Sequence, residues 1–358
     1  MIKRSKTIDC LKGLVIILMI IGHAIQYGSG NDFITNEFFF DNILFKFIYG
    51  FHMPIFMLIS GYLFYYSAKG KNKKEIIIKK LKQLLIPILS WSIVIYLFNS
   101  HFHLSFNMQD LINYINCLFN YLWYLWAFLF SVGIVLLVEK FGRHRTLCYI
   151  FLLLLFLILP DNIHKTILWK NSIYLISMSL NCFKFTFFFF VAGYYFNKNK
   201  QLLLHQENKK ELILSSILFM VSYIIMILFF KKEFYIYTSG FSILNKNIIF
   251  QLAINLYRFV TGILGCVSFL YIIKIILVNV KESNLLYKTI CYIGTKTMGI
   301  YTISCCFFYS ILYPLTKSLS FSYIHILLES IIILLICLYL TTSIEKSKTA
   351  KKIFLGEL

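Results

Sequence analysis

IDCLKGLVIILMIIGH, residues 8–23, is an apolar segment that carries Lys12 near one end and His23 at the other. These two side chains are eleven positions apart, close to three helical turns, so they share a face and lie about 16 Å apart along the axis. Ionisable residues inside an apolar span usually face a bundle interior or a water-filled cavity. The segment therefore predicts a transmembrane helix with one functional face.

A second segment, FHMPIFMLISG at residues 51–61, adds His52 and Pro54 to another apolar run. On two antiparallel helices, His23 and His52 would lie about 18 Å and about 21 Å from the same membrane face. Pro54 removes a backbone donor, so polar neighbours or water are expected around it. We therefore expect the two histidines to lie at a similar depth beside a lined cavity.

The composition of the whole chain is that of a membrane protein. Its 358 residues are 59% hydrophobic and 14% charged, which leaves no soluble domain of useful size. Windows of about 20 apolar residues predict an all-α polytopic protein of about ten transmembrane helices, in a single integral-membrane domain over residues 1–358. The predicted span centres are Ile17, Met57, Ile93, Phe130, Leu154, Phe188, Phe219, Leu264, Cys305 and Leu334.

The net charge of +20 reflects membrane topology, and no nucleic-acid partner is expected. Under the positive-inside rule, basic clusters in alternate predicted loops place both termini in the cytoplasm, and anionic membrane lipids add to that bias. The first apolar run lacks the cleavage site of a signal peptide. We predict a multi-pass protein of the cell inner (plasma) membrane. The basic clusters are Lys3 to Lys6, Lys69 to Lys82, Lys140 to Arg145, Lys198 to Lys210, Lys281 to Lys296 and Lys346 to Lys352.

The nine cysteines are scattered, mostly within predicted spans, and they show no spacing typical of a metal site. We expect them to pack as small apolar residues without a disulfide framework. The sequence predicts neither a metal site nor a permanently bound cofactor.

Lys79 and Lys82 lie one helical turn apart at the start of the predicted third span. A lysine pair on one helix face can hold phosphate groups as point charges. The alternative is ordinary positive-inside topology.

Several polar or aromatic residues are candidates for contact with an acceptor. The predicted outer loop from Asn99 to Asn120 is followed by Trp123, which suits either stacking on a sugar ring or an interfacial aromatic belt. Lys184, Arg258 and Glu329 fall within predicted spans. They either line an acceptor cleft or form structural pairs, such as Arg258 with Glu329.

Further motifs complete a pattern that covers nearly the whole chain. They are Asp9 to Gly13 with Gly22-His23, Phe51 to Pro54 with Ser60-Gly61, Leu85 to Pro87, Leu122 to Leu125, Phe190 to Tyr194 and Gly299 to Tyr301. Together these motifs resemble the integral-membrane acyltransferase 3 family, most closely its short fucose 4-O-acetylase-like members.

The resemblance implies a ten-helix enzyme that moves an acyl group, usually acetyl from acetyl-CoA, to a sugar hydroxyl of a cell-surface polysaccharide or lipid-linked glycan. A basic residue and a histidine on the first helix are essential in that family, which implies catalytic roles for Lys12 and His23. The family's basic donor-binding pair is matched by Lys79 and Lys82, although many members have arginines there. Ser304 stands where many members of the family have histidine. No extracellular hydrolase-like domain is expected.

We predict that His23 acts as the general base, because histidine takes up and returns protons near neutral pH. The acyl-CoA would dock at the Lys79 and Lys82 pair, and His52, Lys184 or Arg258 would stabilise the oxyanion. Transfer is then expected to fall as the pH drops through the pKa of His23.

The alternative is a glycolipid or polysaccharide transporter or flippase, in which His23, Arg258 and Glu329 form a proton relay. Such proteins often contain internal repeats or paired broken helices, and the sequence shows neither convincingly. The sequence does not specify the acceptor sugar, the acylated position, the acyl group or the oligomeric state.

Overall fold

The computed structural model describes residues 6–103, 107–161, 174–198 and 209–357, and all regular secondary structure in these ranges is helical. Each of the ten predicted span centres falls within a helix. The predicted all-α fold is confirmed, whereas the count of ten spans and the cytoplasmic termini stay predictions. Lys3, Arg4 and most of the predicted basic loop from Lys198 to Lys210 lie outside the described residues.

The helices are labelled in chain order. They are α1 (Lys6–Tyr27), α2 (Asn31–Thr35), α3 (Ile43–Tyr49), α4 (His52–Ala68), α5 (Lys73–Asn99), α6 (Met108–Asn116), α7 (Trp123–Val138), α8 (Arg145–Ile158), α9 (Tyr174–Lys198), α10 (Lys209–Leu228), α11 (Ile236–Ser239), α12 (Ile248–Asn279), α13 (Leu285–Thr295), α14 (Thr297–Phe307), α15 (Tyr313–Thr316), α16 (Tyr323–Glu345) and α17 (Lys348–Leu355). Two π-helical turns, Cys117–Tyr121 and Phe308–Leu312, precede α7 and follow α14.

Eight segments of the described chain are long and apolar enough to cross a membrane. They are Lys6–Tyr27, Ile43–Ala68, Lys73–Asn99, Trp123–Ile158, Lys210–Leu228, Ile248–Leu277, Thr297–Thr316 and Tyr323–Glu345. One of them, Trp123–Ile158, covers both α7 and α8, which the 3-10 turn Glu139–His144 joins directly. By itself α8 has 14 residues and spans only about 21 Å of a hydrocarbon core that is about 30 Å thick.

Two stretches that the sequence predicts as loops contain short helices. The predicted basic loop from Lys281 to Lys296 holds α13, and the predicted outer loop from Asn99 to Asn120 holds α6. Each helix has an asparagine N-cap, Asn284 and Asn107, whose side chain accepts a backbone N–H three residues later. Windows of about 20 residues overlook such helices because they are too short to span a membrane, and the position of both stretches between spans stays a prediction.

The chain divides into two compact units, of which the first contains Met1–Ile59, Lys200–Lys231 and Phe259–Ala350. In this unit α1 packs against α3, α13, α14 and α16. Side chains from several faces of α1, among them Val15, Ile16 and Ile20, are buried. The predicted functional helix is therefore an interior helix of its unit.

The helices α1 and α13 approach each other closely at two glycines. A Cβ atom added to Gly13 would overlap the carbonyl oxygen of Ile290, and one added to Gly294 would overlap that of Asp9. Small residues of this kind allow helix backbones to come together in membrane proteins. This contact fixes the end of α1 that carries Lys12.

We expect Gly13→Ala to destabilise the protein by about 1–3 kcal/mol, because the added methyl group would push α13 away from α1. Thermal unfolding in lipid nanodiscs measures the effect. The matched control is Gly133→Ala on α7, where a Cβ atom meets nothing within 4 Å and alanine favours the helix by about 1 kcal/mol. Equal melting temperatures for the two variants would contradict the close packing.

The second unit contains Ser60–Asn199, Lys232–Arg258 and Lys351–Leu358. Here α7 packs against α5 and α9. Gly61 on α4 lies directly against the backbone of Phe190 on α9, and the hydroxyl oxygens of Ser60 and Tyr124 are 2.6 Å apart. Three of the sequence motifs thus meet at one helix contact of this unit.

Candidate functional site

His23 lies in the C-terminal half of α1, where aromatic side chains surround a partly exposed imidazole. Its ring centroid is 5.2 Å from that of Phe308 and 6.1 Å from that of Tyr27. Phe308 begins the π-helical turn after α14, and turns of this type often occur at functional sites. Aromatic packing therefore holds the ring, and His23 as a residue is partly exposed.

Tyr49, at the end of α3, lies between the two predicted histidines. Its hydroxyl oxygen is 3.1 Å from His23 Nδ1 and 3.1 Å from Gln26 Oε1. The centroid of its ring is 4.7 Å from that of His52. The structure thus brings the two predicted histidines to one tyrosine, a residue that the sequence analysis missed.

His52 is the first residue of α4 and is buried. Its Nδ1 lies 3.0 Å from the carbonyl oxygen of Ile48, and because a carbonyl only accepts, Nδ1 carries the proton. A neutral His52 therefore offers Nε2 as a hydrogen-bond acceptor. Pro54 follows in the first turn of the helix, where no intrahelical donor is needed, and the expected polar neighbours around it stay a prediction.

Lys12 forms an ion pair with Asp9 on the same face of α1, with 3.5 Å between Nζ and Oδ1. The side chains are 19% and 10% exposed, respectively, so the lysine charge is compensated in a largely buried place. Ile16 and Met19, which lie between Lys12 and His23 on this face, are buried. The stripe predicted from the helical period is therefore the inward side of α1.

Lys79 and Lys82 are exposed near the start of α5, in the second unit. Neither has an ion-pair partner within the described part of the chain. The neighbouring Lys80 points elsewhere, with its ammonium group 5.4 Å from the ring centroid of Phe128. Both exposed ammonium groups are thus available to a phosphate-bearing ligand.

Lys184 is fully buried in a polar cluster of the second unit. Its ammonium group donates to the carbonyl oxygen of Leu159 at 2.6 Å and to Asp161 Oδ1 at 2.9 Å. The other oxygen of Asp161 accepts the backbone N–H groups of Phe241 and Ser242, each at 2.7 Å. Through Asp161, which follows α8, this ion pair connects α9 to the segment that precedes α12.

Arg258, on α12, also binds the segment that precedes α12. Its guanidinium donates to the carbonyl oxygens of Phe234 at 2.8 Å and Tyr235 at 3.0 Å, and to the side chain of Asn255 at 2.9 Å. Of the two predicted roles, the contacts of Lys184 and Arg258 support the structural one. Their contact with an acceptor stays a prediction.

Glu329, on α16, lies against Gly28 at the end of α1, where a Cβ atom would overlap its Oε2. This oxygen is buried and, among the described residues, has no hydrogen-bond partner. A buried carboxyl oxygen without a hydrogen-bond partner can accept a hydrogen bond from a ligand hydroxyl.

Two other residues that the sequence singled out make local contacts. Trp123 begins α7, and its ring centroid is 6.3 Å from that of Tyr124. Its sugar-stacking and interfacial roles stay predictions. Ser304 is buried and donates to the carbonyl oxygen of Tyr301 at 2.9 Å. The hydroxyl of Ser304 therefore donates its proton in a hydrogen bond within α14.

Comparisons with known proteins relate the whole chain to one family. A family model described as an acyltransferase domain matches residues 5–345. The nodulation protein NolL of Sinorhizobium fredii is 34% identical over 144 residues, which are 39% of this chain and 38% of that protein. The nodulation protein NolL of Mesorhizobium japonicum is 33% identical over 144 residues, 39% of this chain and 37% of that protein. The match therefore spans about two fifths of each relative, and no solved structure matches.

Proposed function

The chain belongs to the integral-membrane acyltransferase 3 family and is a multi-pass membrane protein, and we propose that it is an O-acyltransferase that transfers an acetyl group from cytoplasmic acetyl-CoA. The proposed acceptor is a sugar hydroxyl of a cell-surface polysaccharide or lipid-linked glycan. The observation that carries this proposal is His23, a partly exposed histidine whose Nδ1 lies within hydrogen-bond distance of the Tyr49 hydroxyl. The plasma membrane and the cytoplasmic termini belong to the same proposal, which the alternating basic clusters support.

The proposed reaction is general-base catalysis. His23 Nε2 takes the proton of the acceptor hydroxyl while the hydroxyl oxygen forms a bond to the thioester carbon. The carbon–sulfur bond then breaks, and the leaving thiolate of CoA takes the proton back from the imidazolium. Base catalysis of this kind contributes about 10²- to 10⁴-fold to a rate.

The neighbours of His23 suit different parts of this reaction. Lys12 lies on the same face of α1, about 16 Å away along the axis, and is proposed to contact the acyl donor before the thioester reaches His23. A neutral His52 offers only an acceptor at Nε2, so it would accept a hydrogen bond from a second, non-reacting hydroxyl of the sugar rather than donate to an oxyanion. Glu329 and Trp123 are proposed to contact the acceptor.

The donor site is proposed to lie at Lys79 and Lys82, where the phosphates of CoA would bind. We expect Lys79→Gln/Lys82→Gln to raise the KM for acetyl-CoA by about 3- to 30-fold with kcat unchanged, because exposed ion pairs contribute up to about 1 kcal/mol each. Steady-state kinetics at two salt concentrations measure this effect, which should weaken as salt increases.

Two variants serve as controls for the donor site. Lys74→Gln removes another exposed lysine of α5 and is expected to leave KM unchanged. Lys79→Arg/Lys82→Arg is expected to bind acetyl-CoA at least as well, since guanidinium groups contact phosphate in a bidentate manner. An unchanged KM for acetyl-CoA in the double glutamine variant would contradict the proposal that Lys79 and Lys82 bind the donor.

The acyl-transfer proposal is tested with protein purified in lipid nanodiscs, acetyl-CoA and a mixture of glycan precursors. Acyl transfer requires the thioester, whereas glycolipid transport, the alternative from the sequence, proceeds without it. Glycolipid movement that continues when acetyl-CoA is omitted, with no ester formed, would support the transporter instead.

A further inference from the structure

We propose that Tyr49 and Gln26 form a positioning pair that fixes the tautomer of His23, so that Nδ1 carries the proton and Nε2 is the free base. This inference rests on the proposed role of His23 as the general base. It assigns a function to Tyr49 and Gln26, which belong to none of the sequence motifs considered above.

The donor and the acceptor in each of these hydrogen bonds follow from the chemistry of the three side chains. The hydroxyl of Tyr49 has one proton and lies 3.1 Å from both His23 Nδ1 and Gln26 Oε1. An amide oxygen only accepts, so Tyr49 donates to Gln26 and accepts from the Nδ1–H of His23. Since a neutral imidazole carries one N–H, a proton on Nδ1 leaves Nε2 without one.

The packing around Tyr49 keeps its hydroxyl at this position. Its ring stacks on Phe45 with 3.9 Å between centroids. A Cβ atom on Gly22 would lie 2.8 Å from Tyr49 Cε2 and 3.2 Å from Ile48 Cγ2, so only glycine leaves room for the ring beside α1. This contact explains in physical terms why glycine precedes His23.

The same hydrogen bond gains strength during the reaction. When Nε2 takes the acceptor proton, the ring becomes an imidazolium, and its Nδ1–H bond to Tyr49 becomes charge-assisted. Such bonds are roughly twice as strong as neutral ones. Tyr49 therefore favours both the reactive tautomer and the charged ring, which makes it a positioning residue that acts through His23.

The first test is Tyr49→Phe, which keeps the ring that packs on Gly22 and Phe45 and removes only the hydroxyl. We expect kcat to fall about 10- to 100-fold with the KM for acetyl-CoA unchanged. Tyr339→Phe, the same change at an exposed position of α16, is the matched control and should keep wild-type kinetics.

The second test reads the tautomer directly by nitrogen NMR of histidine-labelled protein in nanodiscs, with the His23 signals identified by their loss in His23→Asn. We expect protonated Nδ1 in the wild type and a shift toward protonated Nε2 in Tyr49→Phe. Gln26→Leu, which removes the acceptor of the Tyr49 proton, should cause the same shift. This variant decides the question if Tyr49→Phe does not fold.

The outcomes separate this inference from the function on which it rests. If His23→Ala keeps full turnover, the general-base proposal fails whatever Tyr49→Phe does. If His23→Ala is inactive while Tyr49→Phe keeps wild-type kcat, only the positioning role is overturned. A wild-type spectrum with the proton on Nε2 would also overturn the positioning role.

Discussion

Replacing His23 with alanine is expected to lower the kcat of acyl transfer by about 10²- to 10⁴-fold, the range typical for loss of a general base. Acetyl-CoA binding should persist, because the proposed contacts of its phosphates are made at Lys79 and Lys82. Turnover and equilibrium binding of acetyl-CoA, measured on the same nanodisc preparation, separate the two effects. A loss confined to kcat indicates an interaction made in the transition state.

His325→Ala provides the matched control, since His325 is an exposed histidine on α16. We expect this variant to keep wild-type kcat and binding. A His23→Ala protein that retained more than a tenth of the wild-type kcat would be incompatible with a base role. Equal loss of binding and turnover would indicate a packing role instead.

The largest effect on stability is expected from Asp161→Ala. This change removes the counterion of the fully buried Lys184 and the acceptor of two backbone N–H groups. Removal of one partner from a buried ion pair typically costs about 3–5 kcal/mol, because the remaining charge is left uncompensated. Lys184→Met should cost less, since Asp161 would keep its two backbone donors.

Thermal unfolding in nanodiscs tests this prediction against Glu282→Ala. That control breaks the Lys6–Glu282 ion pair, whose side chains are 62% and 72% exposed, and is expected to cost less than about 1 kcal/mol. If Asp161→Ala instead raised the KM for the acceptor without lowering the melting temperature, the Lys184 cluster would be part of the acceptor site.

The sequence predicted the helical fold and the family, and these predictions are confirmed. Apolar length is a strong signal because backbone groups within lipid must be satisfied inside a helix. Helical period likewise predicted that Lys12 and His23 share a face of α1, and the buried Ile16 and Met19 between them agree with it.

The contacts of the candidate site were not predictable in the same way. Tyr49 is one of 25 tyrosines, and no spacing rule links it to His23, because its position depends on the break between α3 and α4. Apart from Asn255 on α12, the partners given above for Lys184 and Arg258 lie outside the long helices, where neither helical period nor hydropathy specifies the conformation. A glycine before a histidine in an apolar helix, Gly22, was the available signal that another group approaches α1 closely.

The most direct measurement follows isotope-labelled acetyl from acetyl-CoA into glycan precursors by mass spectrometry, with the purified protein in lipid nanodiscs. We expect a labelled ester on a sugar hydroxyl with the wild type and with His325→Ala, and at most about a hundredth of the initial rate with His23→Ala. Equal labelling by wild type and His23→Ala, or a wild-type protein that never binds acetyl-CoA, would contradict acyl transfer with His23 as the base.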